Sequence, residues 1–262
     1  MAIDPQLIEL LHLEAVRHAA LGEERAAHVA FQTSTLAALL DGAYDGDLTI
    51  GELRRHGDLG LGTFDALDGE MVVVDGEVWR ARVDGTIEAV RDDECTPFAV
   101  VTPFSADATV AVDRELSHDQ LLALATAQAP PGSRMQGLRF DGRLAAVHAR
   151  SVPPQRKPYL PLAEAAKSAQ DFMLEERDGT LVGFCFPAFA SGIELAGFHL
   201  HAITADRTRG GHVLGARVGP GVLQVGALTD LHMELPPGVE LPDGRASAAD
   251  AAALDRLEND PR

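Results

Sequence analysis

The sequence is poor in cysteine and in long apolar runs. Its two cysteines, Cys95 and Cys185, lie far apart in unlike surroundings and offer no disulfide framework. No apolar run approaches the roughly 20 residues that span a bilayer. The N-terminus also lacks the basic and apolar regions of a secretory signal. We therefore expect a cytoplasmic protein with no membrane-spanning segment.

Basic residues are scarce as well. The chain has 22 lysines and arginines against 40 acidic residues, for a formal net charge of −18. A nucleic acid or an anionic membrane would need a clustered basic face, so neither is expected as a partner. A small anionic substrate remains possible, because one local arginine or a metal can outweigh the global field. The length of 262 residues suits one large domain or two packed halves.

Local patterns predict several helices. Residues 6–30 are rich in Leu, Ala, Glu and His at helical spacing, which predicts an amphipathic helix with His12, His18 and His28 at solvated positions. Ser or Thr ahead of apolar residues marks helix starts further along the chain. The remaining helices are predicted at about 36–42, 49–56, 117–129 and 162–172.

The rest of the chain is typical of β-structure. Asp75-Gly76 between two apolar runs predicts a hairpin, and strands are expected at 98–104 and 108–112 of the same sheet, then at 135–151 and 180–188. Pro130-Pro131-Gly132 breaks the chain between two halves. We predict an α/β (α+β) fold with an N-terminal half, 1–130, and a C-terminal half, 131–262, which carries a histidine hairpin and a C-terminal tail.

The histidine hairpin is the most informative stretch. His199 and His201 are two residues apart, so on a strand both side chains leave the same face. A turn centred on Asp206-Arg207 would place His212 directly opposite His201, with Cβ atoms about 5 Å apart. Three converging imidazoles suit a divalent transition metal, zinc above all, with coordination positions left open. The spacing predicts a metal site but names no reaction.

Several further stretches resemble the alpha-acetolactate decarboxylase family. The order and spacing of these stretches match that family from about residue 31 into the histidine hairpin and beyond. The stretches are Phe31–Thr35, Gly57–Phe64 with Leu67–Glu70, Pro97–Phe98 with Val101–Phe104, Arg150–Pro153 with Gln155–Tyr159, and Gly197–His201 through Gly211–His212.

The resemblance implies a role for particular residues. His199, His201 and His212 correspond to the three zinc-binding histidines. The resemblance also implies two α/β halves, each with a mixed sheet and flanking helices, a metal site between the halves, and a homodimer. Glu70 and Glu258 correspond to the two active-site glutamates. Arg150 and Thr63 correspond to the active-site arginine and threonine.

The resemblance also implies the reaction, which is decarboxylation of (S)-2-acetolactate to (R)-acetoin and CO2 in acetoin and butanediol biosynthesis. Zinc would stabilise the enediolate that loss of CO2 leaves, and a glutamate would protonate it. Either Glu70 or Glu258 could give the proton. The Gly57–Gly62 run lacks a P-loop lysine, so no phosphate-bearing cofactor is indicated.

Two other functions fit the same residues. A zinc hydrolase would use the three histidines and one glutamate to activate water, but it would have no particular need for Arg150 or Glu258. A protein that keeps the fold and binds a metal or a small ligand without catalysis is the second alternative. Production of acetoin and CO2 from acetolactate distinguishes the decarboxylase from both.

Overall fold

Two large β-sheets and a few short helices form this mixed α+β fold, which a computed structural model describes for residues 11–18, 21–22 and 26–240. The strands are, in chain order, β1 (Leu13–Arg17), β2 (Val29–Thr33), β3 (Leu48–Thr49), β4 (Leu59–Thr63), β5 (Glu70–Val74), β6 (Glu77–Ala81), β7 (Ile87–Ala89), β8 (Cys95–Thr96), β9 (Ala99–Thr102), β10 (Ala108–Val112), β11 (Leu116–Ser117), β12 (Met135–Ser151), β13 (Gln170–Phe186), β14 (Gly197–Thr204), β15 (Gly210–Leu228) and β16 (Asp230–Leu235). The α-helices are α1 (Leu36–Leu40), α2 (Ile50–His56), α3 (His118–Gln128) and α4 (Leu162–Ala165).

The first sheet has eight strands in the order β1-β16-β2-β9-β4-β5-β6-β7. Strand β16 runs parallel to both β1 and β2, and the other pairs are antiparallel. The sheet is therefore mixed, as the sequence predicted.

The second sheet is antiparallel where a mixed sheet was expected. Its main order is β10-β15-β12-β13-β14, and each of these pairs is antiparallel. The connection from β14 to β15, residues 205–209, is too short for a parallel crossover, so this pair must be antiparallel. Strand β14 also pairs with the first residues of β15, so the pairings of β12, β13, β14 and β15 form a closed circuit and the sheet curls on itself.

The two sheets pack directly on each other through a small apolar cluster. Leu59, Val72 and Val74 of the first sheet lie against Val182 and Ile203 of the second, and all five are 0–1% exposed. Burial of these branched side chains, at roughly 1.5–3 kcal/mol each, fixes β5 over β13 and β14. This packing brings the hairpin β14–β15 close to β5.

Helix starts and one hairpin were predicted correctly from local residues. Thr35, Thr49 and Ser117 are the N-caps of α1, α2 and α3, and each side chain accepts a hydrogen bond from a backbone N–H of the first turn. Asp75-Gly76 joins β5 to β6, and both residues have positive φ, as a tight hairpin turn requires.

Three predictions of local structure were wrong. Residues 13–17 and 29–30, assigned to a helix, lie in strands β1 and β2, because parallel pairing with β16 outweighs their helical spacing. The helix predicted to reach residue 172 ends as a 3₁₀ turn at Ser168, since Gln170 already pairs with β12. Strand β10, expected in the first sheet, pairs with β15 in the second.

Strands of the two sheets also cross the division predicted at residue 130. Strand β16 belongs to the first sheet although it follows residue 131, and β10 belongs to the second sheet although it precedes residue 130. The boundary between halves 1–130 and 131–262 stays a prediction, and the sheets do not divide there.

Candidate active site

Three histidines of the β14–β15 hairpin point to one place. His201 is the direct cross-strand neighbour of His212, as the turn at Asp206-Arg207 predicted, and His199 precedes His201 by two residues on the same face. Each histidine offers a ring nitrogen within 4.8 Å of those of the other two. His212 Nδ1 lies 3.2 Å from His199 Nε2. His201 and His212 are buried, at 1% and 6% exposure.

Oxygen atoms of neighbouring residues lie behind the imidazole rings of His201 and His199, on the side away from the other histidines. His201 Nδ1 donates to the backbone carbonyl of Met71 in β5, at 2.6 Å, which leaves the lone pair of Nε2 facing the other histidines. His199 Nδ1 lies 3.5 Å from Oε1 of Glu194, a carboxylate that is 1% exposed. A carbonyl or carboxylate behind an imidazole is the usual arrangement around metal-binding histidines.

Arg150, Glu70 and Thr63 reach the same place from neighbouring strands. Arg150 of β12 is the cross-strand partner of His212, so the second sheet presents Arg150, His212 and His201 in one row. Glu70 and Thr63 face each other across β5 and β4, and Glu70 Oε2 lies 3.7 Å from His201 Nε2. The Thr63 hydroxyl donates to the carbonyl of Gly69, at 2.8 Å.

These polar side chains line one pocket whose remaining wall is mostly apolar. Its lining is made of Leu36, Leu39, Gly62, Thr63, Leu67, Glu70, Phe98, Arg150, Val152, Leu162, Ala166, His199, His201 and His212. A Cβ atom at Gly62 would lie 2.4 Å from the Phe98 carbonyl oxygen, so only glycine lets β4 and β9 approach this closely. An apolar wall with a few convergent polar groups is typical of a small-molecule site.

The donor set fits a divalent metal. Imidazole nitrogens bound to one zinc at about 2.0–2.1 Å lie roughly 3.3 Å from each other, close to the 3.2 Å between His212 and His199. His201 Nε2 faces the same point, with the Glu70 carboxylate beside it. His199, His201 and His212 can therefore hold a metal ion between the two sheets.

The structure brings together six of the seven site residues expected from the sequence. They are Thr63, Glu70, Arg150, His199, His201 and His212. Glu258 and the helical run predicted at 249–257 lie outside the described residues. Sequence reasoning missed Glu194 and the Met71 carbonyl, because neither a lone glutamate in a loop nor a backbone oxygen carries a pattern that marks it.

Comparison with known proteins identifies the family. The family model described as alpha-acetolactate decarboxylase matches residues 30–241. The chain belongs to the alpha-acetolactate decarboxylase family. Its members named as alpha-acetolactate decarboxylases include a protein of Methanosarcina mazei, 41% identical over 211 residues that cover 80% of this chain and 73% of that one. A Klebsiella aerogenes member is 40% identical over 208 residues, covering 79% and 80% of the two chains.

A solved alpha-acetolactate decarboxylase has the same fold. The crystal structure from Bacillus subtilis strain 168 superposes with a TM-score of 0.83 at 33% identity, over 88% of this chain and 99% of that one. Membership in the acetolactate decarboxylase family makes the chain an enzyme, a carboxy-lyase. Within the described ranges, no helix is long and apolar enough to cross a membrane.

Proposed function

We propose that this chain decarboxylates (S)-2-acetolactate to (R)-acetoin and CO2 in acetoin and butanediol biosynthesis, with zinc held by His199, His201 and His212. One observation carries the proposal. In a member of this decarboxylase family, the three histidines share a single pocket with a buried arginine and a glutamate. Zinc, when bound there, supplies Lewis-acid stabilisation of the negative charge that departure of CO2 leaves on the ketone oxygen.

Arg150 holds the substrate carboxylate. Its planar guanidinium can bind both carboxylate oxygens, and at 7% exposure it is shielded from competing water. The apolar side of the pocket lowers the local dielectric and strengthens this attraction. Arg150 therefore fixes the orientation of the carbon–carbon bond that breaks.

Thr63 contributes an acceptor. Because its hydroxyl hydrogen is committed to the Gly69 carbonyl, the oxygen presents lone pairs to the pocket. The tertiary hydroxyl of acetolactate is a donor that this oxygen can bind. Thr63 thus helps to hold one enantiomer of the substrate.

A glutamate delivers the proton that replaces CO2. Glu70 stands beside His201 and belongs to β5 of the first sheet, whereas Arg150 and His212 lie on strands of the second sheet. Protonation from one face only gives a single acetoin enantiomer, after which solvent reprotonates the carboxylate. Glu258 is the other candidate donor, as the family resemblance implies.

The proposal also covers the oligomeric state, the cellular location and the partners that the sequence predicts. We expect a homodimer in the cytoplasm that acts on small molecules, with neither nucleic acid nor membrane as a partner. Sedimentation velocity of the zinc-loaded protein measures the oligomeric state directly.

The first experiment measures acetoin and CO2 from racemic acetolactate before and after treatment with a chelator. We expect activity that is lost on chelation and restored by zinc, with half of the racemate consumed first and (R)-acetoin as the product. Comparing Glu70→Gln with Glu258→Gln identifies the proton donor, because only the donor variant should lose enantiomeric purity of the product along with rate.

Other outcomes would favour the alternatives. A protein that holds zinc and makes no acetoin would refute the decarboxylase proposal. Ester or amide hydrolysis sensitive to chelation would then favour a zinc hydrolase, and metal binding without turnover would favour a non-catalytic protein. Retention of full activity in Arg150→Met would contradict the proposal that Arg150 binds the substrate carboxylate.

A further inference from the structure

A second cluster of metal-binding side chains lies apart from the pocket, at the end of the first sheet. His18 follows β1, Asp47 precedes β3, and Glu234 lies in β16. These three residues, the His18 cluster, each offer a ligand atom within 4.8 Å of those of the other two. The sequence pattern placed His18 on a solvated helix, and the structure instead turns it toward two carboxylates.

Glu234 is the most informative member because it is buried completely. Its side chain is 0% exposed between β1 and β2, where Val16 and Thr33 are its backbone partners. The Thr33 hydroxyl donates to Oε2. Oε1 faces the cluster, lies 3.7 Å from His18 Nδ1, and has no hydrogen-bond partner in the described ranges. An ionised carboxylate oxygen that is buried without a partner is unfavourable, and a bound cation compensates it.

The other two members of the His18 cluster also have ligand atoms without a hydrogen-bond partner in the described part of the chain. His18 Nδ1 and Asp47 Oδ1 are buried atoms for which the described part of the chain supplies no hydrogen-bond donor or acceptor. The separation of 3.7 Å between His18 Nδ1 and Glu234 Oε1 is too long for a hydrogen bond. It is shorter than twice the roughly 2.1 Å bond of a nitrogen or carboxylate ligand to zinc, so one ion can bind both atoms.

We propose that His18, Asp47 and Glu234 bind a second divalent metal ion, independently of the three-histidine site. One imidazole and two carboxylates form a donor set that suits zinc or manganese. Glu52 would orient the imidazole from behind, since its Oε1 lies 3.8 Å from His18 Nε2. A surface pocket reaches the same histidine, and its lining is His18, Leu21, Gly22, Glu52, Arg55 and His56.

The charges around the cluster favour a cation. The carboxyl groups of Asp47 and Glu52 lie close enough to Glu234 for their charges to repel it. Arg55 and His18 are the basic groups whose charges act on Glu52. A protonated His18 could pair with one carboxylate but would leave the others facing each other. A divalent ion satisfies all three at once.

The position of the cluster indicates a structural role. Strand β1 is the edge strand of the first sheet and pairs only with β16 along the described chain. An ion bound by His18 at the end of β1 and by Glu234 in β16 ties this edge strand to the sheet. Asp47 connects the same ion to the segment that leads into α2.

The test is metal content per chain after loading with zinc and dialysis, measured by elemental analysis. We expect two zinc ions in the unmodified chain, one in His18→Gln or Glu234→Gln, one in a His199→Ala/His212→Ala double variant, and none when both sites are changed. His12→Ala is the matched control, because His12 lies just before β1, at the other end of that strand from His18, with a side chain that is 64% exposed, and it should retain both ions.

The pattern of losses separates this proposal from the proposed function. Equal zinc content in the unmodified chain and in His18→Gln would overturn the second site while leaving the first intact. Loss of zinc only in the His18 cluster variants would overturn the three-histidine zinc instead.

A second measurement covers a variant that fails to fold. The His199→Ala/His212→Ala protein keeps an unaltered His18 cluster, so zinc at a hundredfold excess over its Kd should raise the Tm by roughly 5–10 °C. Manganese, tested separately, should raise it as well. An unchanged Tm with both ions would refute the proposal.

Discussion

Glu194 is expected to tune the metal affinity of the three-histidine site without touching the metal. Its carboxylate lies 3.5 Å from His199 Nδ1 and is 1% exposed. The substitution Glu194→Gln keeps the size and shape of the side chain and removes the negative charge. The imidazole of His199 would then lose an electrostatic partner that orients it and raises its basicity.

The size of the effect follows from the distance. Loss of such an outer partner weakens metal affinity by about 10- to 100-fold. The separation of 3.5 Å between Glu194 Oε1 and His199 Nδ1 exceeds the 2.7–3.2 Å range of a good hydrogen bond, so we expect an effect at the lower end of this range. We therefore expect a loss of about tenfold in zinc affinity, or about 1.4 kcal/mol.

The assay is competition for zinc between the protein and a chromophoric chelator of known affinity. Glu175→Gln is the control, because it makes the same chemical change on an exposed position of β13 and should leave zinc affinity unaltered. With zinc in excess, Glu194→Gln should recover most of the rate of acetoin formation. Zinc affinity equal to that of the control would refute the argument, and so would a lost rate that excess zinc fails to restore.

Three further predictions concern the substrate, the backbone and the tyrosines. Arg150→Met should lower kcat/KM for acetolactate by about 10- to 100-fold through loss of a charge-assisted hydrogen bond, with Lys recovering part of it; an unchanged value in steady-state kinetics would exclude a role in binding. Gly62→Ala should destabilise the protein by about 1–3 kcal/mol in urea unfolding, whereas Gly215→Ala, where a Cβ meets nothing within 4 Å, should cost clearly less. Burial raises the pKa of Tyr44 and of Tyr159 to about 12, so tyrosinate absorbance should develop near pH 12 in the folded protein and near pH 10 in urea. Because folding favours the neutral phenols, the free energy of unfolding should fall as the pH rises from 10 to 12. A titration midpoint near pH 10 in the folded protein would contradict this.

Short-range patterns predicted much of the site. The two-residue spacing of His199 and His201, with a turn of known centre before His212, is enough to fix the cross-strand register. Arg150 and Glu70 could be placed in the pocket only through the family resemblance. Nothing in the local sequence says that β12 lies beside β15, or that β5 packs over β14.

The failures have a common physical cause. Residues 13–17 have helical spacing, and their strand conformation depends on pairing with residues 231–235, more than two hundred positions later. Glu234 and Glu194 were missed for the same reason, since the groups they face come from distant parts of the chain. Propensity is a local property, and these contacts are made by tertiary structure.

The place of β16 in the first sheet has a consequence for synthesis of the protein. This strand lies between β1 and β2, so the first described strand cannot join its sheet until the last described strand has emerged from the ribosome. Until then β2 presents an open edge, and pairing over so long a separation is slow to form. Nascent chains should therefore depend on chaperones until translation is complete, and a ribosome stalled before residue 230 should hold a protease-sensitive N-terminal segment.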